Sequence, residues 1–390
     1  MTVEIAVVIP TRNRDSLAIA AARSLLGQSV EIFISDNSDT PGAVRGFCEA
    51  REGVHYLRPP SVLAMADHWD WALRQAMARS QATHFSVHYD RAVSKPGLWP
   101  ALAAAAAARP DLLTTFMRDN IVAYPAPRRL WQLPWTGRTY TVSGERLATL
   151  VASGRVHAIA PILPLLANCV VPRSVLERLQ ARFGSVCRGA GPDSAFMARF
   201  LASHRESLHF DCAVSVLCGS ERSAGLGYMR GVGGDFADFR RIAGDEAWLP
   251  HAPVPGLNLG FNLLFHDYET VRRETGDRLP QIDRRAVLDA LAADLPWVAD
   301  SEERSRLVRL LRDHGWAGAE PKPFSARRGP RPAYQFSVLL GARWLGLAPN
   351  TISGFAFRND ETALAHALRY PRRRQNHPEH IALAEPVELS

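Results

Sequence analysis

The sequence predicts an α/β protein with a doubly wound, mostly parallel sheet and a helical C-terminal extension. Strand-like and helix-like segments alternate at least four times in the first 117 residues, which is typical of parallel sheets with right-handed crossovers. The first strand-like segment, residues 3–10, is almost continuously apolar and β-branched. We therefore expect both of its faces to be covered. Beyond about residue 245 the pattern is mainly helical.

The first half of the chain predicts short elements in regular order. Ser16 is expected to cap a helix over 17–26, which Gly27 ends. The further segments are a strand at 31–35, a helix from about 41 to 52, a strand at 54–57, a helix at 65–79, a strand at 85–87, a helix at 98–109 and a strand at 112–117.

The next hundred residues mix helices, strands and loops. We predict an irregular hairpin over 124–140, helices at 143–153, 174–183 and 193–204, and short strands at 208–210 and 214–217. Asp193 is placed to cap the third of these helices. Residues 219–234 contain six glycines and are expected to form a mobile loop.

Composition narrows the class of protein. The five cysteines form no CxxC pair and are odd in number, so we expect reduced core residues in a cytoplasmic protein. The N-terminus has neither the basic nor the apolar region of a secretion signal. The longest apolar stretch, residues 158–171, is broken by Pro161 and Pro164 and is short of a bilayer span.

The net charge of +7 suits an anionic ligand, a phospholipid surface or a nucleic acid. Residues 320–374 carry ten Lys or Arg against three acidic residues. This basic tail suits peripheral contact with anionic lipid, or it is an ordinary solvated surface or a self-association arm. Because no nucleic-acid recognition element accompanies it, we expect no nucleic-acid partner. No GxGxxG follows the first strand, so a dinucleotide site is unsupported.

The most informative stretch is residues 84–97, HFSVHYDRAVSKPG. A β-prone run ends abruptly in His88, Tyr89 and Asp90 and is followed by a turn-forming segment. In open α/β sheets, ligands bind outside the carboxyl ends of the strands. The pattern therefore places an imidazole and a carboxylate where a ligand is expected.

Four segments together resemble glycosyltransferase family 2. They are VVIPTRNR at the first strand, SDNSDT after the second, RPPSVLAMADHWDWAL at 58–73, and the fourth strand ending in a carboxylate followed by KPG. The resemblance covers roughly residues 3–217. It implies a GT-A-type fold and an inverting enzyme that uses a nucleotide-sugar donor, most commonly a UDP-sugar.

The resemblance divides the chain and assigns roles. Residues 1–120 would be the nucleotide-sugar-binding half, 121–218 the acceptor-binding half, 219–244 a flexible Gly-rich loop, and 245–390 a mainly helical region with the basic tail. The implied catalytic residue is Asp193, which would activate the acceptor. The implied nucleotide-binding residues are Pro10, Thr11, Arg12, Asp36, Asp67 and Tyr89. Arg222 and Arg230 would close over the diphosphate as a lid.

The metal motif of the family falls on His88, Tyr89 and Asp90, which implies Mn²⁺ or Mg²⁺ held by Asp90 and His88. The family usually has an acidic residue where this chain has His88. Imidazole is a poorer ligand for Mg²⁺ than for Mn²⁺. The presence of His88 therefore leaves three alternatives. The metal binds more weakly, the preferred metal changes, or catalysis is lost.

We therefore predict an inverting, hexosyltransferase-type enzyme that glycosylates a glycan or lipid-linked acceptor in surface-polysaccharide or glycoconjugate synthesis. The rival hypothesis is a catalytically silent binding or scaffolding protein of the same fold. Each chosen residue also has a structural interpretation. Asp36 suits a turn, Asp90 a strand end, Asp193 a helix cap, and Trp69 and Trp71 suit core packing.

Overall fold

A mixed sheet of twelve strands forms the centre of the structure, counted over the described part of the chain. The structure is a computed structural model and describes residues 4–122, 128–132, 135–218, 249–257, 259–298, 300–321, 353–357 and 384–386. The strands are β1 (Ile5–Thr11), β2 (Val30–Asp36), β3 (Val54–Leu57), β4 (His84–Val87), β5 (Ala92–Ser94), β6 (Thr114–Val122), β7 (Arg128–Gln132), β8 (Thr139–Ser143), β9 (Cys169–Pro172), β10 (Glu206–Leu217), β11 (Ser353–Phe357) and β12 (Ala384–Pro386).

Helices cover the sheet and form most of the described C-terminal region. They are α1 (Asp15–Leu25), α2 (Ala43–Glu49), α3 (Met65–Arg79), α4 (Leu98–Ala107), α5 (Gly144–Ala152), α6 (Val156–Ile159), α7 (Arg173–Phe183), α8 (Pro192–Leu201), α9 (Gly260–Glu274), α10 (Arg284–Ala292) and α11 (Ser301–Asp313).

The strand order is β12-β8-β10-β6-β9-β4-β1-β2-β3. The four strands β4-β1-β2-β3 are mutually parallel. Next to them, β9 is antiparallel to both β4 and β6, whereas β6 and β10 are again parallel. The predicted α/β class with parallel crossovers and a helical C-terminal extension is confirmed, and the second half of the sheet is mixed.

Both faces of β1 are buried, as its uniform apolar character predicts. Ala6 and Val8 belong to one hydrophobic core, and Val7 and Ile9 belong to the core on the other face. Because successive side chains of a strand point to opposite faces, one strand supplies both cores. This burial fixes the position of the strand end that follows it.

The C-terminal helices share the first of these cores. Phe265 and Tyr268 of α9 are fully buried in the same cluster as Phe196 and Phe200 of α8. Helix α9 therefore packs directly against the helix that carries Asp193. Residues far along the chain therefore complete the hydrophobic core on the side of the sheet where α8 lies.

Three local predictions are wrong. Ser16 does not cap α1, since the helix begins at Asp15 after Arg14 without a side-chain cap. The two short strands at 208–210 and 214–217 are one strand, β10, in which irregular pairing with β6 absorbs the break. The capping role of Asp193 also fails, because α8 begins at Pro192 and its N-cap is Gly191. The Asp193 side chain therefore has other partners.

All five cysteines are free, and four of them are buried. Within the described ranges, no helix has the length and apolar character needed to cross a bilayer. Arg222, Arg230 and the whole Gly-rich loop, as well as nearly all of the basic tail, lie outside the described residues. The lid and the contact with anionic lipid therefore stay predictions.

Candidate active site at the carboxyl edge of the parallel strands

The parallel register brings the first two predicted motifs side by side. Thr11 pairs with Asp36 in the ladder between β1 and β2, and Pro10 pairs with Ser35. The loops that follow are joined, because the Asn37 amide N–H donates to the Thr11 carbonyl at 2.9 Å. The carboxyl ends of both strands therefore form one continuous edge, where open α/β sheets place their ligands.

The loop after β1 is held by Asp39. The Arg12 guanidinium lies 3.0 Å from one Asp39 oxygen, and the Asn13 amide donates to the other at 2.8 Å. Asn13 itself has a φ of 53°, a left-handed conformation in which Asn is among the enriched residues. Arg12 thus lies in the loop at the carboxyl end of β1 and already contacts an acidic side chain, that of Asp39.

Asp36 is completely buried, and its carboxylate has three partners within the protein. The Ser38 amide donates to Oδ1 at 2.9 Å, and Tyr56 donates to Oδ2 at 2.9 Å. The Arg58 guanidinium lies 3.2 Å from Oδ2. The carboxylate therefore organises the loop after β2, and its contact with a nucleobase stays a prediction.

Asp90 lies at the end of β4 and is 2% exposed. Its Oδ2 accepts from the Thr11 hydroxyl at 2.8 Å and is 2.8 Å from Nε of Arg14. Burial raises the pKa of Asp90, and the Arg14 charge and the Thr11 hydrogen bond oppose that rise. The carboxylate thus joins the ends of β1 and β4.

His88 is buried, and both of its ring nitrogens have partners. Nδ1 lies 3.0 Å from the Tyr89 carbonyl, so it carries the proton, and Nε2 lies 3.0 Å from the Ser94 hydroxyl. Trp99 donates its indole N–H to the same hydroxyl at 2.9 Å. Burial lowers the pKa of His88 to about 4. The ring is therefore neutral at pH 7 and has both nitrogens engaged.

These contacts test whether the residues fit Mn²⁺ or Mg²⁺. A divalent cation needs several donor atoms with available lone pairs. His88 offers none beyond its existing hydrogen bonds, and Oδ2 of Asp90 is shared between Thr11 and a guanidinium. No group of three or more His, Cys, Asp or Glu side chains in the described residues could hold a metal ion. Of the two predicted ligands, His88 has no available lone pair and Asp90 keeps only those of Oδ1, so the described side chains alone supply too few donors to hold a divalent cation.

Tyr89 connects this edge to Asp193. Its hydroxyl donates a short hydrogen bond to Oδ2 of Asp193. Burial raises the pKa of Tyr89, and the Asp193 charge raises it further, so the phenol stays protonated. The Ala167 amide donates to Oδ1 of Asp193 at 2.9 Å. Asp193 is therefore held beside the residue that precedes Asp90, and both carboxylates border the turn after β4.

The tryptophans of α3 serve packing. Trp69 is 7% exposed, and its ring meets the edge of Tyr89 with ring centres 5.7 Å apart. Trp71 is partly buried against the same core. Trp69 thus supports the ring whose hydroxyl holds Asp193.

Asp67 lies in a different environment from Asp36. It forms an exposed ion pair with Arg188 at 2.8 Å. Both side chains line a cavity of about 330 Å³. The other lining residues are Ala64, Met65, Ala66, Gly189, Ala190, Ala195, Arg199, His266, Asp267, Thr270 and Val271. Asp67 has no hydrogen bond to the other predicted nucleotide-binding residues.

Sequence reasoning missed Asp267 of α9, which shapes the loop before Asp193. Its carboxylate accepts from the amides of Ala190 at 2.8 Å and Gly191 at 2.9 Å, and from the Ser194 hydroxyl. The loop wraps closely, since a Cβ on Gly189 would lie 2.7 Å from the Asp267 carboxylate. Burial raises the pKa of Asp267 to about 6, and these hydrogen bonds oppose the rise. Asp267 is thus a positioning residue for Asp193.

Sequence reasoning also missed Asp70. It lies in the α3 motif, yet its carboxylate accepts from the amides of Val186 at 2.6 Å and Cys187 at 3.3 Å. Two buried carboxylates, from α3 and α9, therefore hold the segment between α7 and α8. Asp70 also pairs with Arg74 at 3.0 Å, but neither carboxylate has a local sequence signal for holding this segment, because the main-chain amides that they bind are more than seventy residues away.

Comparisons with known proteins find distant likenesses to solved structures. No protein-family model and no curated protein sequence matches this chain. Residues 1–349 of S. aureus TarS in complex with UDP-GlcNAc are 11% identical, with 80% of each chain covered and a TM-score of 0.47. The same region in complex with UDP is 12% identical over 80% of this chain and 87% of that chain, with a TM-score of 0.43. At these identities and TM-scores the likeness carries no functional argument.

Proposed function

We propose that this protein transfers a sugar from a nucleotide-diphosphate donor to a hydroxyl group of an acceptor, with inversion at the anomeric carbon. One observation carries the proposal. Thr11 and Asp36 lie side by side at the carboxyl edge of the parallel strands, and the turn after β4 joins Asp90 to Asp193 through Tyr89. This edge is the ligand-binding position of open α/β sheets. It has one carboxylate on each side of Tyr89.

The resemblance of the motifs to glycosyltransferase family 2 supports a UDP-sugar as the donor. Under this proposal the nucleotide lies along the loops after β1 and β2, near Pro10, Thr11, Arg12 and Asp36. These loops are pre-organised by Asp39 and by the hydrogen bond between Asn37 and Thr11. Ordered loops lower the entropy cost of binding.

Asp193 is the proposed general base. It takes the proton of the acceptor hydroxyl while that oxygen forms a bond to the anomeric carbon. The bond between that carbon and the β-phosphate oxygen breaks, and its electron pair leaves with the nucleoside diphosphate. Each Asp193 oxygen accepts one hydrogen bond, from Tyr89 or Ala167, and keeps a further lone pair for the proton. Such a base contributes roughly 10²–10⁴-fold to the rate.

The cavity beside the Asp193 loop is the proposed site for part of a glycan or lipid-linked acceptor. Its wall includes Gly189, Ala190 and Ala195, which lie on either side of Asp193 in the chain. The Asp67–Arg188 pair at its rim offers both charges for hydroxyl recognition. Synthesis of a surface polysaccharide or glycoconjugate would use such an acceptor.

A nucleotide-release assay tests the proposal. The full chain is incubated with UDP-, GDP-, ADP- and dTDP-linked sugars, and release of each nucleoside diphosphate is measured with Mn²⁺ and with EDTA. We expect turnover with at least one donor, highest for a UDP-sugar. If no nucleotide sugar binds or is consumed in either condition, the protein is not a transferase of this type.

A catalytically silent binding or scaffolding protein of the same fold is the second candidate. The donor set at His88 and Asp90, which does not fit a divalent cation, favours it. Such a protein would bind a nucleotide and release no product. The same assay, combined with a nucleotide-binding measurement, separates the two functions.

A further inference from the structure

Three arginines from three different elements surround the turn after β4. Arg14 follows β1, Arg91 follows Asp90, and Arg118 lies on β6. Arg14 contacts Asp90 at 2.8 Å. The guanidinium carbons of Arg91 and Arg118 lie 5.4 Å and 4.8 Å from the centre of the Tyr89 ring. We refer to these three residues as the arginine cluster.

The arginines are close enough to act on one another. The guanidinium groups of Arg91 and Arg118 both lie over the Tyr89 ring, and Arg14 contacts the carboxylate of Asp90, which lies between Tyr89 and Arg91 in the chain. Arg91 donates to the Cys218 carbonyl at 3.1 Å. The backbone and Tyr89 thus hold positive charges together at the edge where the ligand is expected.

Arg118 is the member with the clearest unmet charge. It is half-buried, and its hydrogen bond within the described residues goes to the Ala167 carbonyl at 3.4 Å. No carboxylate in the described part of the chain lies within ion-pair distance of it. A partly desolvated cation without an anionic partner is costly. Its persistence at a ligand-binding edge indicates that an anion completes it.

We propose that the arginine cluster binds the diphosphate of the donor directly and replaces the divalent cation that the motif resemblance implies. This inference rests on the proposed function. Guanidinium groups bind phosphate oxygens in a bidentate manner, and Arg is well suited to that recognition. They also stabilise the charge that develops on the β-phosphate oxygen as the bond to the sugar breaks. Arg14 keeps Asp90 neutralised while this occurs.

The arrangement explains the departure at His88. A carboxylate there would add negative charge beside Asp90 and would suit a metal ion. The neutral imidazole instead holds the turn through Tyr89 and Ser94. Because Arg14 offsets the charge of Asp90, the net positive charge for the phosphates comes from Arg91 and Arg118, and donor binding does not depend on a metal ion.

Titration calorimetry on the full chain tests the inference, with UDP and inorganic pyrophosphate as probes. We expect both probes to bind in EDTA and Mn²⁺ to leave the Kd unchanged within error. Arg118→Gln removes a hydrogen-bonded charge and should raise the Kd of both probes by about 10- to 100-fold. Arg118→Lys, which keeps the charge, should recover part of that loss. Arg45→Gln, on exposed α2, is the matched control with wild-type affinity.

The outcomes separate this inference from the proposed function. If UDP binding requires Mn²⁺ and has the same Kd in Arg118→Gln as in the wild type, the arginine cluster does not bind the diphosphate. The proposed transferase function is unaffected by that result. Pyrophosphate binding in EDTA that Arg118→Gln weakens, without any nucleotide binding, supports the cluster and counts against the transferase. Binding of neither probe overturns both. Thermal melting of each variant verifies folding, and Arg118→Lys serves as the test if Arg118→Gln does not fold.

Discussion

Asp193→Asn is expected to reduce the rate of sugar transfer by roughly 10²–10⁴-fold, the usual contribution of a general base. The amide cannot take the acceptor proton, although its oxygen can still accept from Tyr89 or Ala167. Because the proposed function assigns Asp193 to the acceptor hydroxyl and not to the nucleotide, the Kd for UDP should stay unchanged. Steady-state transfer rates and calorimetric UDP binding measure the two quantities.

Asp111→Asn provides the matched control for this prediction. Asp111 is an exposed aspartate that pairs with Arg109 after α4 and lies just before β6. The control should retain wild-type transfer. If Asp193→Asn transfers sugar at the wild-type rate, Asp193 is not the general base. An equal loss of transfer rate in Asp111→Asn would indicate an effect unrelated to the site.

Asp119→Ala is expected to lower the free energy of unfolding by about 3–5 kcal/mol, the cost of leaving a buried charge unpaired. Asp119 and Lys95 form an ion pair at 2.6 Å, and their side chains are 1% and 4% exposed. Lys95 lies in the KPG turn, and Asp119 follows Arg118 in β6. The pair therefore holds the KPG turn against the strand that carries Arg118. Urea denaturation followed by circular dichroism measures the change.

A double variant isolates the cause of that loss. Replacing both charges, in Lys95→Met with Asp119→Leu, removes the unpaired charge and should restore most of the stability. Glu49→Ala, which breaks the exposed Arg45–Glu49 pair, should cost less than about 1 kcal/mol. If the double variant is as unstable as Asp119→Ala, packing and hydrogen bonding, and not charge, account for the loss.

The α/β architecture follows from patterns that are local in the chain. The apolar run of β1 predicts a strand buried on both faces, and the polar ends of β1, β2 and β4 predict one shared edge. The ladder that pairs Thr11 with Asp36 places these ends together as expected. Such inferences succeed because strand burial and sheet polarity depend on nearby residues.

The partners of each site carboxylate could not be predicted in this way. Asp193 looks like a helix cap from its position after Gly191 and Pro192, yet its side chain contacts Tyr89, 104 residues away. Asp267 has no motif and acts through main-chain amides of a distant loop. Helix ends, turns and ion pairs use the same polar residue types, so only the tertiary contacts distinguish their roles.

The predicted metal site also depends on tertiary contacts that the sequence pattern does not show. The resemblance implies ligands at His88 and Asp90, but hydrogen bonds from Trp99, Ser94, Thr11 and Arg14 determine which lone pairs remain. Those contacts join residues 11–14 to residues 88–99. The spacing of the motif alone contains no information about them.

A crystal structure of the full chain with UDP, grown in EDTA, tests the central claim most directly. We expect the diphosphate to lie against Arg118 at the end of β4, with the uracil toward the loops after β1 and β2 and Asp193 facing the open side. Nucleotide bound elsewhere, such as in the cavity between α3 and α9, would contradict the account, even if UDP binds tightly.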